Sequence, residues 1–152
     1  MLVLNDGQRT TLAEEGAGLL LGIGASCPDL ALPDMRGAVH RLSDLHGQTV
    51  ALVVVAPVCA TSRELAARLG EASPLDRCAL LVVSVGNSIS AAKLKAACGL
   101  REPVLVDSVG LMQQLYGTKS VPTAYVIGSR GQLVATARGP RCWRTLNTAC
   151  GG

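Results

Sequence analysis

The chain of 152 residues contains no phenylalanine, and its aromatic residues together amount to only 2%. A core made without large rings must come from Leu, Val, Ile and Ala, and there is no aromatic platform on which bases or sugars could stack. Charge of one sign is also missing: the net charge is only +3, and the basic residues are spread along the chain. Their one loose group, Arg138, Arg141 and Arg144, reads as solvated surface. Nucleic acid is therefore not an expected partner. Histidine is scarce, with His40 and His46 alone and neither in a ligand-like spacing with a cysteine, and no CxxC occurs. Neither a metal site nor a cofactor is expected. No positively charged segment precedes an apolar stretch near Met1, and the run from Gly16 to Ala25 is too short and too rich in glycine to span a bilayer. The expectation is a chain with no membrane segment, cytoplasmic by default.

What is present is a hydrophobic content of 49%, enough for one globular unit of ordinary size. Residues 1–24, with five glycines among mixed polar residues, are expected to form a flexible leader holding a short helix near Leu12 to Glu15; residues 25–152 form the domain. Residues 28–47 predict a hairpin followed by a helical turn capped by Ser43. Strands and helices then alternate: a strand over 49–56, a helix over about 60–71 ended by Gly70 and Pro74, a strand over 78–85, and a helix over about 90–98 with Gly99 past its end. A strand over 103–107 and a helix near 110–116 follow. The segments 121–127 and 133–138 flank Gly128-Ser129-Arg130-Gly131 as a hairpin. This order predicts an α/β fold with a mixed central sheet flanked by helices and an N-terminal hairpin extension.

Six cysteines are present, an even number that permits disulfides in an oxidising compartment without requiring them. A free cysteine usually packs as a small hydrophobe, but Cys59 holds a special position. It follows a strand buried on both faces and stands at the first turn of the next helix, where unpaired N–H groups and the helix dipole favour a thiolate. Ser62, three residues on, is placed to donate a hydrogen bond to the same sulfur, beside the backbone N–H groups of Thr61 and Ser62. An ordinary thiol is only about 3% ionised at pH 7, whereas one lowered to about 6 is about 90% thiolate. The plainer alternative is that Ser62 only caps the helix.

The blocks Pro28-Asp29-Leu30-Ala31-Leu32-Pro33-Asp34, Gly37, Leu42-Ser43-Asp44-Leu45, Gly47, Cys59, Val121-Pro122-Thr123-Ala124-Tyr125-Val126-Ile127 and Arg130-Gly131-Gln132 occur in this order. Together, over roughly residues 22–139, they resemble the redoxin branch of the thioredoxin superfamily, which includes TlpA-like and MauD-like thiol–disulfide proteins. The resemblance implies a thioredoxin-like fold with the reactive Cys59 at the start of its first core helix. It further implies a cis bond before Pro122 and a substrate-docking backbone at Val121. It implies as partner a client protein or a low-molecular-weight thiol, and its periplasmic and membrane-anchored members leave a site outside the cytoplasm open.

The chain departs from that family at three places. The resolving cysteine of the family falls on Ser62, so the motif is Cys59-Ala60-Thr61-Ser62; the aromatic before the first cysteine is Val58; and the buried acid six residues before it is Val53. These changes predict a monothiol protein whose mixed disulfides need an outside thiol for release. A second class of function, a binding or assembly module that retains the fold without the chemistry, fits the same departures. A peroxiredoxin-like peroxidase is the remaining alternative. It is disfavoured by Ala56 and Leu52 where those enzymes carry threonine and proline, with Cys98, Cys142 or Cys150 as candidates to resolve a sulfenic acid. Cys142 and Cys150, in an expected terminal helix, are the more mobile of these, whereas Cys78 and Cys98 are expected to pack.

Overall fold

The computed structural model describes residues 21–71 and 75–151. The expected leader up to residue 20, its short helix and the stop at Pro74 lie outside the described residues. The chain opens with a small hairpin of β1 (Ala31–Pro33) and β2 (Val39–Arg41) and a 3-10 turn at Leu42–Leu45. The capping of that turn is not done by Ser43. Ser43 is the second residue of the turn, and its own N–H (2.9 Å), with that of Leu30 (3.0 Å), is accepted by Asp29 Oδ1, a carboxylate oxygen with lone pairs for two donors.

The core follows as β3 (Val50–Val55), α1 (Ala60–Leu69), β4 (Ala79–Val85), α2 (Ser88–Cys98), β5 (Val104–Asp107), α3 (Leu111–Tyr116), β6 (Thr123–Ile127), β7 (Leu133–Arg138) and α4 (Cys142–Cys150). The sheet order is β5-β4-β3-β6-β7, with β3, β4 and β5 parallel and β6 and β7 antiparallel. This is a thioredoxin-like α/β fold with a mixed sheet flanked by helices. Strand β3 is central and all six of its residues are buried, which is why it shows no polar alternation. Its side chains alternate between two cores. Ala51, Val53 and Val55 pack toward α1, α2 and α4; Val50, Leu52 and Val54 pack toward α3 and the residues around the hairpin.

Local chemistry sets the ends of the elements. Helix α2 starts at Ser88, two residues before the sequence suggests, because Asn87 accepts from the Ser90 N–H at 2.8 Å and moves the cap upstream. It ends at Gly99 in the left-handed region, φ 69°. Gly70 ends α1 where a Cβ would collide with the Cys98 carbonyl, so the close approach of the two helix ends requires glycine. Asp107 receives the N–H groups of Leu111 and Met112 at 2.8 and 2.9 Å and anchors the short α3.

Cys78 is not a free packing thiol. It forms a disulfide with Cys150, with 5.3 Å between Cα atoms, and joins the entry of β4 to the last residue of α4. The even cysteine count permits this pair, but its partners are 72 residues apart in the chain.

Candidate functional site

The parallel strands β3, β4 and β5 finish at one end of the sheet, where β6 begins and β7 ends. Cys59 stands at that end. The chain leaves β3 at Val55, turns over Pro57, with the Cys59 N–H bonded to the Ala56 carbonyl at 3.0 Å, and enters α1 with Cys59 as its N-cap. The first helical N–H groups therefore face the sulfur.

Ser62, one turn into α1, is fully buried, and its Oγ accepts the Ala56 N–H at 3.1 Å. That bond holds the strand-to-helix turn closed and leaves the hydroxyl proton free to be donated elsewhere. The Cys59 thiol is held below the ordinary thiol range, first by the Ser62 N–H and then by the Ser62 hydroxyl. The Thr61 N–H and the Arg63 guanidinium add to the effect, while partial burial opposes it. Arg63 did not stand out in the sequence, although it lies four residues after Cys59, a spacing that puts two helical residues on one face. Its Nη1 donates to the Pro57 carbonyl at 2.9 Å, which fixes the cation over the turn.

The facing loop completes the site. The Val121–Pro122 bond is cis, and the Cys59 thiol donates to the Val121 carbonyl at 3.7 Å. Behind the loop, Tyr116 and Tyr125 meet edge to face at 5.2 Å; the Tyr125 hydroxyl bonds Thr118 at 2.7 Å and Tyr116 donates to the Pro28 carbonyl at 2.6 Å. Both tyrosines of the chain thus brace the segment leading to Val121. Val58 is 91% exposed, and Val53 is fully buried in the core on the α1 side of β3.

The other cysteines lie in different surroundings. Cys150 is not a mobile thiol, since it is bound to Cys78, and Cys142 is fully buried with its sulfur donating to the carbonyls of Ala137 (3.4 Å) and Pro122 (3.6 Å). Burial pushes the Cys142 thiol up to about 11, and Cys27 likewise to about 11. Cys98 is also raised by burial; it bonds the Arg63 carbonyl at 3.7 Å and lies beside Gly70 at the far end of α1. Of the four free thiols, Cys59 alone is shifted toward the thiolate.

A cleft of about 220 Å³ opens at the opposite end of the sheet, beside the Val50 and Ile127 pair, and is lined by Cys27, His46 and Arg130 among others. It does not adjoin Cys59. Among the described residues no cluster of three or more His, Cys, Asp or Glu is placed to hold a metal, and no helix is long and apolar enough to cross a membrane.

The chain is similar to known thiol–disulfide oxidoreductases in sequence and in fold. The thiol-disulfide oxidoreductase ResA of Geobacillus kaustophilus is 27% identical over 117 residues, which span 74% of this chain and 67% of ResA. A crystal structure assigned as the thiol:disulfide interchange protein DsbE of Chlorobium tepidum superposes with a TM-score of 0.67 at 29% identity, covering 78% of this chain and 86% of that one. The exposed lipoprotein thioredoxin Etrx1 of Streptococcus pneumoniae gives a TM-score of 0.56 at 30% identity, over 74% and 90%. The AhpC/TSA family profile matches residues 23–136, three quarters of the sequence, and the chain belongs to the AhpC/TSA family.

Proposed function

We propose that the protein is a thiol–disulfide oxidoreductase that works through a single thiolate. Cys59 attacks a client disulfide R–S–S–R′, forming Cys59–S–S–R and releasing R′S⁻; the Cys59 sulfur is oxidised and one client sulfur reduced. Ser62 holds the thiolate through its N–H and hydroxyl, with the Thr61 N–H beside it, and the Val121-Pro122 backbone docks the client strand. A second, external thiolate R″S⁻ then attacks the mixed disulfide, restores the Cys59 thiolate and leaves R–S–S–R″. The net result is an exchange of disulfide partners, with no oxidant consumed.

The observation that carries this reading is the contrast among the free thiols: Cys59 is drawn toward the thiolate while Cys27, Cys98 and Cys142 are pushed away from it. The ResA and DsbE relatives, named for the same chemistry, support it. The Cys78–Cys150 bond favours an oxidising compartment over the cytoplasmic default, since cytosolic thiols are kept reduced. The exposed lipoprotein of S. pneumoniae points the same way.

The test is to treat the protein with an uncharged disulfide and follow its intact mass. The expected product is one adduct, on Cys59, that persists until an external thiol is added, whereas Ser62→Cys sheds its adduct unaided. An absence of any adduct would leave a binding module on a redoxin scaffold. Spontaneous loss from the wild type with a new disulfide to Cys98 or Cys142 would overturn the single-thiolate mechanism, and Cys59-dependent consumption of peroxide would mark a peroxidase instead.

A further inference from the structure

Charge and apolar surface are divided across the Cys59 end of the sheet. On the β6–β7 side, Arg138 is the last residue of β7 and pairs with Thr123, the residue after Pro122. Arg141 lies in the turn Gly139–Arg141, which is tied to the docking loop by the Gly139 N–H to the Pro122 carbonyl at 2.8 Å and packs against α1. Lys119 is exposed two residues before Val121. None of these three cations has an ion-pair partner among the described residues, where His40–Asp34 is the one such pair. The nearby acids do not offset them. Asp107 is buried and occupied by two N–H groups of α3, and Glu64 stands on the exposed face of α1.

On the β3–β4–β5 side the surface is aliphatic. Val58 precedes Cys59, Ile89 is the second residue of α2 just after β4, and Val109 follows β5; they are 91%, 68% and 72% exposed. Single exposed aliphatics are ordinary, but these three follow the adjacent strands β3, β4 and β5, which sets them along one edge of the Cys59 end. Strands lie about 4.8 Å apart, so both halves fall within about 10 Å of β3, a distance spanned by some three extended residues.

We infer that the client is an acidic polypeptide segment, whose exchanging sulfur is flanked by aliphatic residues on one side, over Val58 and Val109, and by Asp or Glu on the other, over Lys119, Arg138 and Arg141. The inference rests on the exchange reading above and names its substrate class. An apolar half wider than a small thiol commits the surface to a polypeptide. The arginines and lysine act mainly on encounter, where complementary charge raises association rates and salt removes the gain.

The test uses two synthetic peptides, each with one cysteine activated as a 2-pyridyl disulfide and the same Val-Leu half, the other half being Glu-Asp in one and Lys-Arg in the other. Attack by Cys59 forms the mixed disulfide and releases pyridine-2-thione, which is read by absorbance. The acidic peptide is expected to react about tenfold faster at low ionic strength. The advantage should fall to about twofold near 1 M salt, where the screening length is about 3 Å. The triple variant Lys119→Gln, Arg138→Gln, Arg141→Gln should abolish the preference, with each peptide rate divided by the iodoacetamide rate of the same protein so that any change in the Cys59 thiolate cancels.

Equal rates for the two peptides, with iodoacetamide reacting normally, overturn the acidic-client inference and leave the exchange reading standing. A preference unchanged in the triple variant does the same. The full preference from an acidic single-residue disulfide with no apolar half assigns the surface to a small acidic thiol and overturns the polypeptide. A Cys59 inert to peptides and iodoacetamide alike overturns the exchange reading and the inference with it.

Discussion

The Ser62 hydroxyl accepts from the Ala56 N–H while its own proton remains for the Cys59 sulfur. Removing it acts on the strand-to-helix turn as well as on the thiol. Ser62→Ala leaves a partly buried N–H without its partner, and an unsatisfied donor costs about 1–3 kcal/mol, readable as a lower urea midpoint at unchanged slope. A variant as stable as wild type would show that Ser62 does not hold the turn. The other free thiols give a control of opposite sign. With Cys27 and Cys142 raised to about 11, their thiolate fraction at pH 7 is on the order of 10⁻⁴, against about 3% for an ordinary thiol. Both should stay unmodified in the folded protein over hours of alkylation at pH 7 that label Cys59; labelling of all three at similar rates would refute the ordering. Much of this residue-level picture was visible beforehand, because a cysteine after a buried strand and before a helical pattern can only lie at a helix start. The raised thiols were not, since their burial depends on strands and helices that meet only in the fold.

At the scale of elements, α4 is held at both ends, by the Cys142 sulfur on the Pro122 and Ala137 carbonyls and by the Cys78–Cys150 disulfide. Closing a 72-residue separation restricts the unfolded chain by about 4 kcal/mol on the chain-entropy view, within the 2–5 kcal/mol usual for native disulfides. The paired variant Cys78→Ser, Cys150→Ser should lose stability of that order in urea, and reductant should lower wild type toward it but leave the variant unaffected. No difference between the two would mean that α4 is held by the burial of Cys142 and Leu146 without help from the disulfide. Before reduction the unfolded protein should titrate four thiols, and after it six. The elements themselves were legible to within two residues, since β-branched runs and capping residues act locally. The disulfide was not: six cysteines allow many pairings, and only the approach of β4 and α4 selects this one.

At the scale of the whole molecule, β3 is both the centre of the sheet and the support of the site. Leu52 is fully buried in its middle, and Leu52→Ala should cost about 2–5 kcal/mol as the cavity it leaves only partly collapses. A loss below about 1 kcal/mol, measured by urea unfolding, would show that the core on the α3 side yields more than its packing suggests. The sheet order also turns scattered sequence into one surface. Arg138 and Arg141 looked like ordinary solvated charge in the chain, and only the antiparallel return of β7 brings them beside Pro122.

The pH profile of Cys59 alkylation, read by peptide mass spectrometry on folded wild type and Ser62→Ala, bears most directly on the monothiol mechanism. The Cys59 thiol is lowered in the fold, so its reactivity should hold as the pH drops below the ordinary thiol range and fail only as the pH passes through its own depressed midpoint. In Ser62→Ala that midpoint should move upward, and the rate at pH 6 should fall by a factor of about 3–10. A wild-type midpoint at the ordinary thiol value near 8.5, unmoved by Ser62→Ala, would mean that Cys59 is not an activated thiolate and that the chain does not work by thiol exchange.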